Sequence, residues 1–566
     1  MDFFQAGDAC SEEDLSLQPS NPRFVNAMNG QETFEKICRA MSLPGFYPHA
    51  VTRLEKRETH ISAVFLTGDW VYKLKKPVNF GFLDFESLEA RRTYCHREVL
   101  LNQRLTSQVY EGVVEIVQDA GGEIRLGGQG RVLDHVVKMR QLSEESNLEV
   151  LLKKGVIQES HMQDLGERLG QFYASSSGGE EISRFGDPHV ISMNMEENFD
   201  QVHPFVGDLV NDERWQFIRE VSRAFFRNHE NAFKERVRSG CVVDGHGDLR
   251  AEHVYLEDVI QVIDCIEFND RFRYGDVASD ISFLYMDLDR LGHMDLGFVL
   301  LKAIVRSSGD HGLYGFIDFY AAYRAVVKLK VACFSFAGSR TEEQRSLQRD
   351  AAGHYLQQAN TYALGFGRPT LWVFCGLPAS GKSTLAEKLS QTLHVPLIQS
   401  DRVRKEAAGM SAQDSEVVPF GKGLYRSSFR HRVYGRMLLM AQESLERGRS
   451  VILDGTFSHR KWRDDARQLA GDLDTNMIFI ECRASVERIR QRLMERETHT
   501  GASDARLQHL DALAAEYEPL RDTDAAMLIT VSTEKPLDES FLEVVAESHA
   551  RKCRQISKLP SVSPVS

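Results

Sequence analysis

The stretch "FCGLPASGKSTLAEKL", residues 374 to 389, gathers residue types that can hold a nucleotide's phosphates. Gly376 to Ser383 satisfies Gly-x4-Gly-Lys-Ser, between an apolar run that reads as a strand and a periodic run that reads as a helix. Glycines let backbone N–H groups turn onto phosphate oxygens. Lys382 supplies a cation for the β and γ phosphates, and the Ser383 hydroxyl is a magnesium ligand. The candidate nucleotide contacts are Gly376, Ala379, Ser380, Gly381, Lys382, Ser383 and Thr384. Three further pieces follow in order. "IQSDRVRK" puts Asp401 and Arg404 after a second strand, where open α/β sheets bind ligands. "SVILDGTF" ends a third strand in Asp454, placed to hold magnesium or its water. "ECRASVERIRQRLMERE" sets Arg492 and Arg496 four apart on one helical face, able to reach a transferred phosphoryl group together.

A second constellation lies upstream. "VVDGHGDLRAEHVYLEDVIQVIDCIEF" places Asp248 in a His-x-Asp turn, 16 residues before Asp264 on an apolar strand. In kinase-like chemistry the first carboxylate orients the acceptor hydroxyl and the second ligates magnesium. Lys73 in "VYKLKK" and Glu98 in "HREVLL" are the candidate ion pair over the ATP phosphates. Lys75 shares a strand face with Lys73 and competes for that role. His253 stands five residues after Asp248, where the kinase-like pattern has a magnesium-binding Asn. Imidazole is a poor ligand for hard magnesium, although it can bond a phosphate or a metal-bound water. No Gly-x-Gly-x-x-Gly loop precedes Lys73; "ETHISAVFLTGD" occupies its place.

The downstream order resembles the small P-loop kinases related to the 5′-hydroxyl domain of polynucleotide kinase, zeta toxins and chloramphenicol phosphotransferase. That resemblance covers about 368–545 and implies that Asp401 contacts the acceptor hydroxyl while the lid arginines neutralise phosphates. "YKLKKPVNFGFLDF" and "IDCIEFNDRFRYGDVASD" resemble bacterial fusions of an aminoglycoside-phosphotransferase-like domain with a P-loop ATPase/kinase domain. The resemblance implies that Asp276 and Asp280 brace the catalytic loop. It names a fold superfamily rather than an acceptor.

These motifs need elements to position them. Strand patterns at 61–76, "EGVVEIVQD", "EIRLGG" and "VLDHVVKMRQL" make a sheet-rich first lobe. A helix over "FESLEARRTYCHREVLLNQRL" would bury Leu88, Tyr94, Val99 and Leu101. Helical runs follow at 157–176, 211–238 and 276–365. "GFGRPT" breaks the last one, and strands at 371–375, 396–399, 450–454, 476–481 and 526–531 then alternate with helices as in a parallel sheet. The expected fold class is thus α/β and α+β, a bilobal kinase-like domain followed by a P-loop NTPase domain with a parallel sheet. The expected segments are 1–40 of unknown role, a kinase-like domain over 41–365, a P-loop domain over 368–550, and a disordered tail at 551–566.

With 566 residues the chain exceeds one ordinary domain; 42% hydrophobic and 27% charged residues describe a globular protein. A net charge of −13 argues against nucleic acid or an anionic membrane as a general partner. The acidic start "MDFFQAGDACSEEDLSLQ" does not read as a signal peptide, and no apolar run is long enough to span a bilayer. Nine cysteines without a Cys-x-x-Cys pair fit reduced thiols in a cytoplasm. The expectation is an ATP- and Mg2+-dependent phosphotransferase acting on a hydroxyl of a small molecule, with GTP an open alternative at the P-loop. Two other readings stand beside it: a regulatory ATPase whose first lobe is a sensor or scaffold, and a nucleic-acid 5′-hydroxyl kinase. The acceptor and the oligomeric state are not legible in the sequence.

Overall fold

A computed structural model describes residues 22–176, 178–409, 426–497, 507, 510–520 and 527–557; the side chains of 22–29, 427, 496 and 497 lie outside that description. The chain divides into two compact units. One takes the chain up to Phe185 together with Val242–Leu296, and the other takes Gly186–Cys241 and the chain from Gly297 onward.

In the first unit, six strands form one antiparallel sheet: β1 (Glu55–Glu58), β2 (Ser62–Leu66), β3 (Trp70–Lys75), β4 (Tyr110–Gln118), β5 (Ile124–Leu126) and β6 (Arg131–Arg140). Their spatial order is β1-β2-β3-β6-β4-β5. The expected pair over 61–76 is β2 and β3. Ahead of it, the edge strand β1 is the charged, mostly exposed "EKRE", a composition that discourages further edge pairing. Alternation along β3 gives its two faces different work. Tyr72 and Leu74 join Phe34, Ile37, Met41, Phe65 and Val136 in one core, while Val71 packs with Cys95, Tyr110 and Val137 on the other face. Lys73 and Lys75 share that second face, beneath the helix Leu88–Asn102.

Phe34, Ile37 and Met41 lie on the helix Pro22–Met41, so packed structure begins ahead of residue 41. The expected apolar stripe of the helix Leu88–Asn102 is corrected. Its buried residues are Arg91, Cys95, Glu98, Leu101 and Asn102, whereas Leu88, Tyr94 and Val99 are only half-buried. Charged side chains hold this face because partners wait beneath it; Arg91 donates to both oxygens of buried Asp134 at 3.0 Å. Short pairs complete the unit: β7 (Val242–Asp244) with β10 (Tyr274–Asp276), and β8 (Val254–Tyr255) with β9 (Gln261–Val262).

The second unit contains a fully parallel sheet of β11 (Thr370–Cys375), β12 (Leu397–Gln399), β13 (Val451–Asp454), β14 (Asn476–Arg483) and β15 (Leu528–Ser532), in the order β12-β13-β11-β14-β15. Both faces of β11 and β13 are buried, as continuous apolar strands require. The helices Pro188–Val202, Asp212–Arg238, Ile317–Gly338 and Glu342–Gly367 belong to this same unit. Glu342–Gly367 runs up to the expected Gly/Pro junction before β11. The last helix, Leu537–Ile556, continues past the expected start of the tail at 551 and buries Ile556, so only 558–566 of that segment lie outside the described residues. Among the described residues no helix is long and apolar enough to cross a membrane.

Candidate functional site

Two constellations form, one within each unit. In the first, Lys73 Nζ lies 2.9 Å from Glu98 Oε1 and also pairs with Asp264. Lys75 Nζ takes the other oxygen of Glu98 at 2.6 Å and pairs with Glu267. The four carboxylate oxygens of Glu98 and Glu267 and the nitrogen of Lys75 are shut from water, since these side chains are at most 5% exposed. Charges desolvated to this degree cost several kcal/mol each unless paired, so the lysines and carboxylates hold one another in place. Burial raises the Glu267 carboxyl, and Lys75 opposes it. Burial also works against the charged forms of Asp264 and Glu98, but the lysines overcome it and hold both carboxyls below the usual range. The two lysines differ in reach. Lys73 reaches the strand-following Asp264, while Lys75 is enclosed between two glutamates.

Asp264 has a left-handed φ of 66°, which aims its side chain back toward Lys73 and His253. Its N–H donates to the Tyr110 hydroxyl at 3.2 Å. Across the site, His253 Nδ1 lies 2.8 Å from the carbonyl oxygen of Asp248, so Nδ1 carries the hydrogen. That leaves Nε2 facing Asp264 Oδ2 at 3.7 Å. In a neutral ring two electron pairs then face each other, an arrangement that a proton or a cation between them would satisfy. The turn carrying Asp248 is braced from below. Asp280 accepts from the N–H of His246 at 2.6 Å and of Gly247 at 2.8 Å, and from the Tyr173 hydroxyl at 2.9 Å. Asp276 caps its own helix, accepting from Ala278 N–H at 2.8 Å.

The second constellation sits at the carboxyl ends of β11, β12 and β13. Gly376 and Gly381 have φ of 130° and 89°, and a Cβ at Gly376 would stand 2.5 Å from the Cys482 carbonyl oxygen. Glycine is required there by both conformation and space. Ala379 also takes a left-handed φ, of 59°. Lys382, buried at the first position of the helix Lys382–Leu393, donates to Leu377 O at 2.8 Å and so arches over the loop. Asp454 is 4% exposed; Gln399 Nε2 bonds its Oδ2 at 3.4 Å, and its Oδ1 is buried without a hydrogen-bond partner. Burial raises this carboxyl, with Lys382 and the Ser383 hydroxyl opposing it. Ser380 Oγ is likewise buried and unpartnered. The Asp454 carboxylate and the Ser383 hydroxyl beside it are an all-oxygen set of the kind magnesium takes together with phosphate oxygens.

Asp401 opens the helix Ser400–Ala407 and accepts from Arg404 Nη2 at 2.6 Å. Arg492 turns toward the phosphate loop. Its Nη1 donates to Ala379 O at 3.2 Å and to Thr533 Oγ1 at 3.1 Å, and its Nη2 to Thr533 O at 2.6 Å. The Arg496 side chain lies outside the described residues. Thr533 closes the arrangement by donating to Ser380 O at 2.7 Å. Sequence reasoning missed Thr533, Gln399, Glu267 and Tyr110. Gln399 and Thr533 had one usable signal, their position at or just past the carboxyl end of a parallel strand. Glu267 and Tyr110 carried none.

Residues 371–520 match a family described as AAA domain, the segment that holds the phosphate loop, Asp401, Asp454 and Arg492. The uncharacterised protein Rv2004c of Mycobacterium tuberculosis is 33% identical over 463 residues, covering 82% of this chain and 90% of that protein. Among solved structures, the GDP complex of aminoglycoside 2′-phosphotransferase-IIIa is 14% identical and covers 58% of this chain and 99% of its own, with a TM-score of 0.37. A gluconokinase from Sinorhizobium meliloti 1021 is 20% identical and covers 33% of this chain and 96% of its own, with a TM-score of 0.24. The likeness to the mycobacterial protein extends over most of both chains, and the chain belongs to its family.

Proposed function

We propose that the chain is an ATP-dependent phosphotransferase with two nucleotide-phosphate sites, and that its P-loop site transfers a phosphoryl group to a hydroxyl of a small molecule. One observation supports this reading: Asp454 is buried beside Lys382 and the Ser383 hydroxyl with its Oδ1 left without a hydrogen-bond partner, and Asp401, which follows the neighbouring strand β12, is paired to Arg404. A bare ATPase needs the cradle alone. A transferase also needs a carboxylate that orients the acceptor and takes its proton. In this reading Ser383 and Asp454 hold magnesium, which draws charge from the β and γ phosphates. Lys382 holds those phosphates, Asp401 receives the acceptor hydroxyl, and Arg404 holds the Asp401 carboxylate in position. Arg492 fixes the shape of the phosphate loop, and Arg496 belongs to the lid.

In the N-terminal site Lys73 and Glu98 position phosphates, Asp264 and His253 hold the metal, and Asp248 orients the hydroxyl. ATP is the expected donor at both sites, and the cytoplasm the expected location. A second reading, in which the N-terminal lobe senses a ligand without transferring phosphate, is favoured by one observation, the imidazole of His253 at the metal position. Incubation of the full chain with γ-labelled ATP and pools of hydroxylated metabolites decides between them. Label on a metabolite supports the proposal. Free phosphate alone supports the ATPase, and label on an added oligonucleotide end would point to a nucleic-acid kinase.

A further inference from the structure

Three donor side chains outside both constellations converge between two helices of the second unit. Asp318 lies in the first turn of the helix Ile317–Gly338; His549 and Cys553 lie one turn apart on the helix Leu537–Ile556. Residues four apart share one helical face, so a single face of the last helix presents an imidazole and a thiol together. Cys553 Sγ is 3.7 Å from His549 Nε2, and Asp318 Oδ2 is 3.7 Å from His549 Nδ1. One donor atom from each residue lies within 4.8 Å of the other two. Among the described residues no other such group of three His, Cys, Asp or Glu side chains forms.

The surroundings suit a soft divalent cation. Asp318 and His549 are 5% and 3% exposed, and Asp318 Oδ1 is buried without a hydrogen-bond partner. A buried carboxylate with a spare oxygen and no arginine or lysine ion pair is costly by itself. Burial, with Lys552 adding to it, holds the His549 imidazole below its usual pKa against the pull of Asp318. Gly365 passes so close that a Cβ there would sit 3.2 Å from Asp318 Oδ2, which leaves the carboxylate the space it occupies. The rings of Tyr314 and Phe298 stand 5.5 and 5.9 Å from that of His549 and wall the cluster on its apolar side.

We propose that Asp318, His549 and Cys553 hold a zinc ion, with water in its fourth position, that fastens the helix Leu537–Ile556 to the helix Ile317–Gly338. Tetrahedral zinc places its nitrogen, oxygen and sulfur donors roughly 3.3–3.6 Å apart. The two short separations run to different ring nitrogens and one zinc takes only one of them, so side-chain rotation has to draw the three donor atoms in from within 4.8 Å of one another. One thiolate, one imidazole and one carboxylate select zinc over magnesium or calcium, which take oxygen donors. The Cys553 proton leaves to solvent as the metal binds. Cys265, Cys375 and Cys482 lie beside the nucleotide sites and are buried, so loss of the thiolate band in Cys553→Ser is what assigns the metal to this cluster.

The test titrates the full chain, stripped with a chelator, with Co2+ and follows the thiolate-to-cobalt absorption in the near ultraviolet. One equivalent of Co2+ should produce the band, and one equivalent of Zn2+ should remove it. Cys553→Ser should abolish the band, and Asp318→Asn should weaken Co2+ affinity at least tenfold. No band at saturating Co2+ in the wild-type chain overturns the site, as does an undiminished band in Cys553→Ser. Melting temperature gives a second reading that does not depend on the variants folding. Zn2+ should raise it in the wild-type chain with and without nucleotide, and no rise would overturn the proposal.

Discussion

Arg404 donates to Asp401 at 2.6 Å from one helical turn away, and Arg404 is the more buried partner. The carboxylate that would receive an acceptor hydroxyl is thus held in one rotamer by a residue of its own helix. Asp401→Asn should retain the neutral hydrogen bond to Arg404 and leave ATP affinity within about twofold. It should lower transfer at least ~100-fold, the usual scale of losing a general base. Slow hydrolysis should persist, because water needs no dedicated acceptor site. Calorimetry for ATP and turnover with the acceptor from the metabolite screen are the paired measurements. A joint fall of affinity and transfer would make Asp401 a structural cap.

Lys73 and Lys75 should separate cleanly by readout. Lys75→Met leaves Glu98 and Glu267 buried with one shared cation gone, and should destabilise the first unit by roughly 3–5 kcal/mol. Lys73→Met leaves Glu98 its bond to Lys75, so stability should fall less. Transfer at this site should fall roughly 100-fold as the phosphates lose their charge partner. Denaturant melts and turnover in a Lys382→Ala background check the pair. The opposite pattern would exchange the two roles.

The P-loop site was legible because its motif is local. Glycines, lysine and serine act within one strand–loop–helix, and Asp401 and Asp454 fall at strand ends that apolar runs reveal. The residues that complete each site were not legible, because their partners are distant in sequence. Thr533 clamps Ser380 and Arg492, and Lys75 is enclosed by Glu98 and Glu267. The same reason undid the apolar stripe expected of the helix Leu88–Asn102. Periodicity assigns burial to hydrophobic side chains, whereas here Arg91 and Glu98 are buried because Asp134, Lys73 and Lys75 neutralise them. The helix Pro22–Met41 reads as only weakly helical in sequence, and among its described side chains Phe34, Ile37, Cys38 and Met41 reach the core.

His253 should govern how the N-terminal site uses metal. Its Nε2 faces Asp264 while its Nδ1 is engaged by the Asp248 carbonyl. His253→Asn supplies an oxygen donor at that place, so magnesium-dependent nucleotide binding should be kept or should tighten severalfold, and any preference for manganese should shrink. Nucleotide titrations in Mg2+ and in Mn2+ measure this. Complete loss in both metals would show that the ring serves the loop rather than the cation.

The claim that one chain holds two nucleotide-phosphate sites is tested most directly by nucleotide stoichiometry. Calorimetric titration of the full chain with a non-hydrolysable ATP analogue and Mg2+ should give two equivalents. Lys382→Ala should remove the P-loop equivalent and leave the other, and Asp264→Asn should do the converse. One equivalent in the wild-type chain, abolished by Lys382→Ala and unaltered by Asp264→Asn, would contradict the account and reduce the N-terminal lobe to a scaffold.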